Sequence, residues 1–279
     1  MATATDQNTA KSASGGISTF DQFVKFSTDA SGLERTFRAL QAITQILATI
    51  EPARQLVILL VSLIWPPITV HPSSQFLHLL SRSTLSALRT RFALGRRFFR
   101  VFRFLDAFSS AWKLFVSPEK KSVETWLDIS SRSFNGLYLL LETAHFPEAL
   151  AVDGFRVWGA ETAKWLHVEG QRFWFFALVC GVGAGLVRLV ALYGNDGVSS
   201  PQFQGKGGDE DEEKRRRVVE RRRRSRRRVI RRLAADVMDL ALPGAVVGWI
   251  PASPGVVGLL MLGSTYLTGL EVWERCGRS

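Results

Sequence analysis

The chain has 279 residues and a net charge of +11, since 36 lysines and arginines outnumber 25 acidic residues, and this balance favours anionic partners. Nineteen phenylalanines and eight tryptophans against three tyrosines favour contact with lipid. The two cysteines, Cys180 and Cys276, lie far apart in the sequence, which excludes a disulfide framework and a cysteine zinc site.

The first residues and the helical region behind them differ in composition. Residues 1–18 are small and polar, and we predict a disordered tail there. Helical patterning follows over residues 19–193, and it begins with capping boxes at Thr19 and Ser31. Residues 56–65 are apolar but too short to span a bilayer, and the two prolines at 66–67 end them.

The segment from Ser83 to Phe115 predicts a long amphipathic helix. Apolar residues recur at alternating steps of four and three and so share one face; they include Leu94, Phe98, Val101, Leu105, Phe108 and Trp112. Arginines occupy roughly the opposite side: Arg89, Arg96, Arg100 and Arg103. Such a helix can lie in the plane of an anionic bilayer. Surface helices of soluble bundles and calmodulin targets share the pattern, so these alternatives stay open.

Two apolar segments lie in the second half of the chain. Residues 173–193 are long enough to span a bilayer, with Arg188 as their one charge, which is costly unless it snorkels or pairs. Residues 240–263 are uncharged but contain three prolines, so we expect a kinked span or a hairpin that dips into the bilayer. The second segment belongs to a predicted C-terminal membrane-associated region, residues 233–279.

A region of extreme charge separates the two apolar segments. Residues 194–214 predict a charged linker that ends in an acidic run, and residues 215–232 form an arginine-rich block. The block is similar to a nuclear localisation signal or a nucleic-acid-binding arm, but no aromatic platform or reading module accompanies it. A solvated basic helix is a second interpretation, and attraction to anionic lipid head groups is a third. We expect no nucleic-acid partner.

Nothing in the sequence predicts an enzyme. The four histidines, His71, His78, His145 and His167, lack metal-ligand spacing with each other and with the cysteines. No nucleophile elbow, phosphate loop or kinase signature occurs. We therefore expect no catalytic residue, no cofactor and no metal.

Several blocks of sequence follow one another in order between Phe20 and Trp273. They are FDQFVKFSTDASGLERTFRALQ, LGRRFFRVFRFLDAF, NGLYLLLETAHF, RFWFFALVCGV and DVMDLALPGAVVGWI, with a final Gly-Leu-x-x-Trp. In this order and spacing they resemble the peroxisomal biogenesis factor 11 family, the membrane-elongating peroxins. The N-terminal tail and the insert at residues 194–228 depart from the family pattern, so no role is transferred to either.

The resemblance implies a protein of the peroxisomal membrane that elongates the organelle and promotes its proliferation and fission. It also implies self-association and, as partners, a dynamin-related GTPase with its membrane adaptor. Pattern and resemblance together predict an all-α fold: a helical membrane-associated bundle with amphipathic helices and one or two apolar membrane segments. The four arginines named for the amphipathic helix should contact lipid head groups, and its six named apolar residues should insert into the membrane.

Alternatives and the topology stay open at this point. The main alternative is a channel or metabolite carrier of the peroxisomal membrane, and a nucleic-acid-binding protein that uses the arginine block is less favoured. If both apolar segments span, the positive-inside tendency keeps the arginine block cytosolic. Residues before 173 would then lie on the far side, away from the leaflet on which the amphipathic helix is expected to act.

Overall fold

Every regular element in the described part of the chain is a helix, so the predicted all-α class is confirmed. The computed structural model describes residues 18–64, 78–152, 154–194 and 209–278. Residues 1–17 of the predicted tail, the two prolines at 66–67 and residues 195–208 of the predicted linker lie outside these ranges; Ser18, the last residue of the predicted tail, caps the first helix. The helices are α1 (Thr19–Thr28), α2 (Ala30–Thr49), α3 (Glu51–Ile64), α4 (Arg82–Phe98), α5 (Arg103–Val116), α6 (Val123–Leu150), α7 (Ala160–Gly194), α8 (Asp209–Asp239), α9 (Ala241–Val247) and α10 (Pro254–Cys276).

Serine side chains cap the first turns of two of the long helices. Ser122 accepts a hydrogen bond from the backbone N–H of Thr125 at the start of α6. Ser253 accepts one from Val256 at the start of α10, where Pro254 occupies the first turn. Both caps satisfy N–H groups that a helix leaves unpaired, and they mark where these helices begin.

The amphipathic segment forms two helices instead of the single predicted one. α4 ends at Phe98 and α5 begins at Arg103. Around the linking residues 99–102, backbone hydrogen bonds run three residues back instead of four, which tightens the turn. The hydroxyl of Thr143 on α6 donates to the carbonyl of Val101 at 2.7 Å and so satisfies an acceptor near the break. Because a contact with another helix supports the break, helical periodicity could not reveal it.

The acidic run and the arginine block belong to one helix, α8. Residues 209–214, predicted as the end of the linker, form its first turns. Further along, Arg224 donates to Glu220 one turn before it at 2.8 Å, a pairing that supports an exposed helix.

α6 and α7 form the most extensive helix pair of the bundle, and they run antiparallel. Near one end of the pair, Arg188 of α7 donates to Glu124 at the start of α6. Towards the other end, the rings of His145 and His167 lie 5.6 Å apart. The pair therefore gives the bundle its long axis.

α8 packs antiparallel to α7. Gly185 of α7 lies against Leu233, and the guanidinium of Arg226 lies 4.1 Å from the ring centre of Tyr193 near the C-terminal end of α7. Residue numbers thus fall along α8 as they rise along α7.

α10 in turn packs antiparallel to α8. Gly263 lies against Met238, and Glu274 pairs with Arg231 at 2.6 Å. Since α7 and α10 are each antiparallel to α8, they run in the same direction. Their C-terminal ends consequently lie at the same end of the bundle, the end at which the arginine block emerges.

Two small apolar clusters form the interior. One contains Ala42, Leu242 and Met261, and the other contains Ala107, Tyr138 and Leu139. Trp174 of α7 packs against both clusters and stacks on the ring of Tyr138 with centroids 5.2 Å apart. This tryptophan therefore joins the α2–α10 side of the bundle to the α5–α6 side.

Among the described residues, α7 and α10 are long and apolar enough to cross a membrane. α7 contains the predicted apolar segment 173–193. The predicted segment 240–263 is divided, because α9 ends at Val247, the following Gly248 has a φ of 84° that reverses the chain, and α10 starts at Pro254. α2 and α3 are long and apolar enough only when they are taken together as one segment, and this segment bends by 104° between the two helices. We treat α7 and α10 as the candidate spans.

Gly32→Ala should destabilise the junction of α1 and α2. An alanine Cβ at this position would lie 2.0 Å from the carbonyl oxygen of Phe26, so the two helices would have to separate. We expect the free energy of unfolding to fall by about 1–3 kcal/mol, and thermal unfolding of the purified protein in detergent measures this loss. Gly269→Ala in α10 is the matched control, because a Cβ there meets open space. The control should be neutral or slightly stabilising; equal unfolding of both variants would contradict the close approach.

Candidate membrane-contact surface

Three of the predicted inserting residues lie on the outside of the bundle. Phe98, Leu105 and Trp112 have exposed fractions of 68%, 58% and 65%. Phe115 and Val116 at the end of α5 extend the same set of exposed apolar side chains. Soluble monomers rarely expose a large contiguous apolar surface, so this face of α4 and α5 fits a lipid or protein environment.

The other three predicted inserting residues are less accessible. Leu94 and Val101 are half-buried. The ring of Phe108 packs on Gly136 of α6, so it contributes to the contact between α5 and α6. Phe102, which the periodicity did not select, is 73% exposed. It lies in the break between the two helices, where the register of a continuous helix no longer applies.

Two of the predicted head-group arginines lie inside the bundle. Arg96 donates to Gln41 at 2.7 Å and lies 3.7 Å from Glu34, and its side chain is only 8% exposed. Arg100 donates to Glu142 at 2.6 Å. The expectation of head-group contact does not fit these two positions, because both guanidinium groups pair with carboxylates of the protein itself.

The remaining two predicted arginines lie nearer the surface. Arg89 is exposed, and Arg103 is 49% exposed while it donates to Glu34 at 3.2 Å. Head-group contact stays a prediction for these two. Arg96 and Arg100 thus point towards the interior while Phe98, Leu105 and Trp112 point outwards, which is the reverse of a helix on a soluble bundle.

Glu34 lies at the centre of the interior charge. Its side chain is 4% exposed. Burial by itself raises the pKa of Glu34, but the attraction of four arginines outweighs burial and lowers the pKa to about 2; these are Arg35, Arg100, Arg96 and Arg103. The carboxylate is therefore charged at neutral pH, and it ties α2 to α4 and α5.

A second buried ion pair joins α2 to α8 and α10. Arg38 donates to Asp239 at 2.5 Å and to the hydroxyl of Ser264 at 3.2 Å. The two charged side chains are 5% and 10% exposed. Sequence patterns did not reveal this pair, because 201 residues separate its members. One guanidinium thus connects three helices.

Arg188, the single charge within the predicted apolar segment, also has partners. It donates to Glu124 at 2.8 Å and to Asp128 at 2.9 Å, both on α6. Pairing of this kind is one of the two conditions under which a charge is tolerated in an apolar helix. The arginine therefore contributes to the contact between α6 and α7.

Metal ligation finds no support in the described ranges. No group of three or more histidine, cysteine, aspartate or glutamate side chains there is arranged to hold a metal ion. His145 and His167 are adjacent but form only a pair.

Apolar side chains on the outside, ion pairs on the inside and two helices able to cross a bilayer define an α-helical membrane protein. The sequence profile of peroxisomal biogenesis factor 11 matches residues 75–273. The chain therefore belongs to the peroxisomal biogenesis factor 11 family, which is peroxisomal and serves peroxisome biogenesis and proliferation; it is a family of biogenesis factors and not of enzymes. No curated protein and no solved structure matches the chain.

The profile match confirms the resemblance noted from the sequence blocks, and it shows which residues of the chain carry the resemblance. Its range includes the amphipathic segment, the arginine block, all of α7, and α10 up to Trp273. The first block, residues 20–41, precedes the matched range. α1 and α2 therefore lie outside the matched range, and they belong to the same bundle because they pack on its helices.

Arg38→Met should destabilise the bundle strongly, because it leaves the charge of Asp239 buried without its partner. We expect a loss of about 3–5 kcal/mol in the free energy of unfolding, measured by chemical unfolding of the purified protein in detergent. The control Arg275→Ala removes the exposed partner of Asp29 and should cost less than about 1 kcal/mol. The double variant Arg38→Met, Asp239→Leu should recover much of the loss; equal costs for the two single variants would contradict the buried pairing.

The depressed pKa of Glu34 predicts a stability that depends on acid pH. Between the ordinary value of 4.5 and the folded value of about 2, the unfolded chain binds more protons than the folded one, so stability falls as pH falls. The advantage of the wild type over Glu34→Gln should be constant from neutral pH down to the ordinary pKa and should shrink below it. Unfolding of both proteins across this range tests the sign, and an advantage unchanged near the lower pKa would refute it.

Proposed function

We propose that this protein elongates the peroxisomal membrane by inserting the outward apolar face of α4 and α5 into lipid. One observation carries the proposal: Phe98, Leu105 and Trp112 are exposed on the helices whose arginines pair with Glu34 and Glu142. In water this arrangement would leave large apolar side chains exposed to the solvent, which is unfavourable, whereas the acyl chains of a bilayer accommodate them.

The length of α5 supports an effect on curvature. Its 14 residues span about 21 Å, which is shorter than the hydrocarbon core of about 30 Å. Its apolar face therefore fills one leaflet more than the other, and unequal expansion of the leaflets bends the membrane. Of the predicted head-group arginines, we propose that Arg89 and Arg103 contact lipid phosphate, since they lie nearest the surface.

Elongation of an organelle requires many copies, because one inserted helix bends little membrane. We accordingly propose self-association of the chain in the membrane. Fission of the elongated peroxisome would be carried out by a dynamin-related GTPase recruited through its membrane adaptor. Support for these two partners comes from membership of the family alone.

The triple variant Phe98→Gln, Leu105→Gln, Trp112→Gln should lose elongation activity. The three side chains are exposed, so the substitutions leave the packed interior intact. Expressed with a fluorescent tag beside a peroxisomal matrix marker, the wild type should surround and lengthen peroxisomes, and the variant should surround peroxisomes without lengthening them. Reconstitution into liposomes provides a second readout, since the wild type should form tubules and the variant should not.

A matched control removes the same number of exposed apolar side chains elsewhere. Phe20, Phe23 and Val24 on α1 are 72%, 56% and 42% exposed and precede the range matched by the family profile. Their replacement by glutamine should leave elongation near the wild-type level. If the α4–α5 variant elongated peroxisomes and tubulated liposomes like the wild type, the proposal would be wrong.

A further inference from the structure

The arginine block is a dense cationic surface that the proposed function does not use. Residues 215–232 contain twelve arginines and a single carboxylate, Glu220. That carboxylate pairs with Arg224 at 2.8 Å. The further exposed arginines on α8 include Arg221, Arg223, Arg227 and Arg228. A surface with this excess of positive charge attracts an anionic partner.

The position of the block relative to the candidate spans narrows the choice of partner. Arg226 lies 4.1 Å from the ring centre of Tyr193, at the end of α7. Arg231 pairs with Glu274, next to Trp273, near the end of α10. Tyrosine and tryptophan are enriched where a membrane meets water. The arginines therefore lie at the level at which both apolar helices would leave the bilayer.

The spacing along α8 matches the thickness of the head-group layer. Arg221 precedes Arg226 by five residues and therefore lies about 8 Å further out from the end of α7. Arg228 follows Arg226 by two residues and lies about 3 Å nearer the bilayer. The polar layer on each side of the hydrocarbon core is about 5–8 Å thick. The exposed arginines fall within this layer or within one Debye length, about 8 Å, of it.

We propose that Arg221, Arg223, Arg227 and Arg228 bind the phosphates of anionic phospholipids in the leaflet at which α7 and α10 end. The proposal requires that these two helices cross the membrane, and it concerns a surface separate from the outward face of α4 and α5. A nucleic acid fits the observations less well. Proteins that bind single strands present open aromatic rings beside their cations, and the ring of Tyr193 is already covered by Arg226.

The test measures which lipids collect around the full-length protein. The chain is reconstituted into phosphatidylcholine liposomes that contain spin-labelled phosphatidylserine or spin-labelled phosphatidylcholine. Electron paramagnetic resonance then gives the fraction of each label that the protein immobilises. The wild type should prefer phosphatidylserine by about threefold or more, and about 0.5 M sodium chloride should reduce this preference, because salt screens exposed charges.

The preference is the ratio of the immobilised fraction of phosphatidylserine to that of phosphatidylcholine. This ratio should fall towards one in the glutamine variant, which carries Arg221→Gln, Arg223→Gln, Arg227→Gln and Arg228→Gln. The matched control replaces the same four residues with lysine and should keep most of the preference, since the charge is retained. The triple variant of Phe98, Leu105 and Trp112 should keep the wild-type preference, which separates this surface from the elongation activity.

Several results would overturn the proposal. The proposal would be overturned if the wild-type protein showed no preference for phosphatidylserine at low salt. This result needs no variant, so it holds even if the glutamine variant fails to insert into the liposomes. A glutamine variant with the wild-type preference would also overturn the proposal. Binding of a short single-stranded RNA by the detergent-solubilised chain, lost in the glutamine variant while lipid preference is unchanged, would assign the surface to nucleic acid instead.

Discussion

Glu34 and Arg38 lie one turn apart on α2, and their contacts reach four other helices. Glu34 interacts with arginines of α4 and α5, while Arg38 binds Asp239 of α8 and Ser264 of α10. A charge buried without a partner is far more costly than the pair is stabilising, so these contacts strongly disfavour other rotations of the helices. The orientation of the amphipathic segment follows: Arg96 and Arg103 meet α2, Arg100 meets α6, and the exposed apolar side chains Phe98, Leu105 and Trp112 are left outside.

This orientation connects the fold to a role in the membrane. A soluble bundle places its apolar stripes inside and its charges in water, whereas here Arg96, Arg100 and Arg38 are inside and Phe98, Leu105 and Trp112 are outside. Membrane proteins of the helical class carry their charges towards the bundle interior in the same way. Membership of a peroxisomal biogenesis family and the outward apolar surface are therefore consistent with each other.

The common direction of α7 and α10 bears on topology. If both helices cross the membrane, the chain between them must return through the bundle along α8 and α9, so both spans end on the side of the arginine block. The ring of Phe115 near the end of α5 lies 6.2 Å from that of Trp126 near the start of α6, so the amphipathic segment extends towards this same end. If the two spans were joined by a simple cytosolic loop, the residues before 173 would lie on the far side of the membrane, away from the leaflet on which the amphipathic segment is expected to act. This conflict does not arise here, because the α4–α5 segment lies beside the spans and not beyond them.

The sequence by itself determined the helical class, the two-faced character of the amphipathic segment, the apolar segments and the family, because these depend on periodicity, composition and the order of local blocks. Only the tertiary structure decided which face of α4 and α5 points inwards, where the segment breaks, and which carboxylates hold Arg96 and Arg100. Periodicity separates a charged side from an apolar side but is the same whether water or lipid surrounds the helix. The partners Glu34 and Glu142 lie more than forty residues from the arginines that they bind, so only folding brings them together.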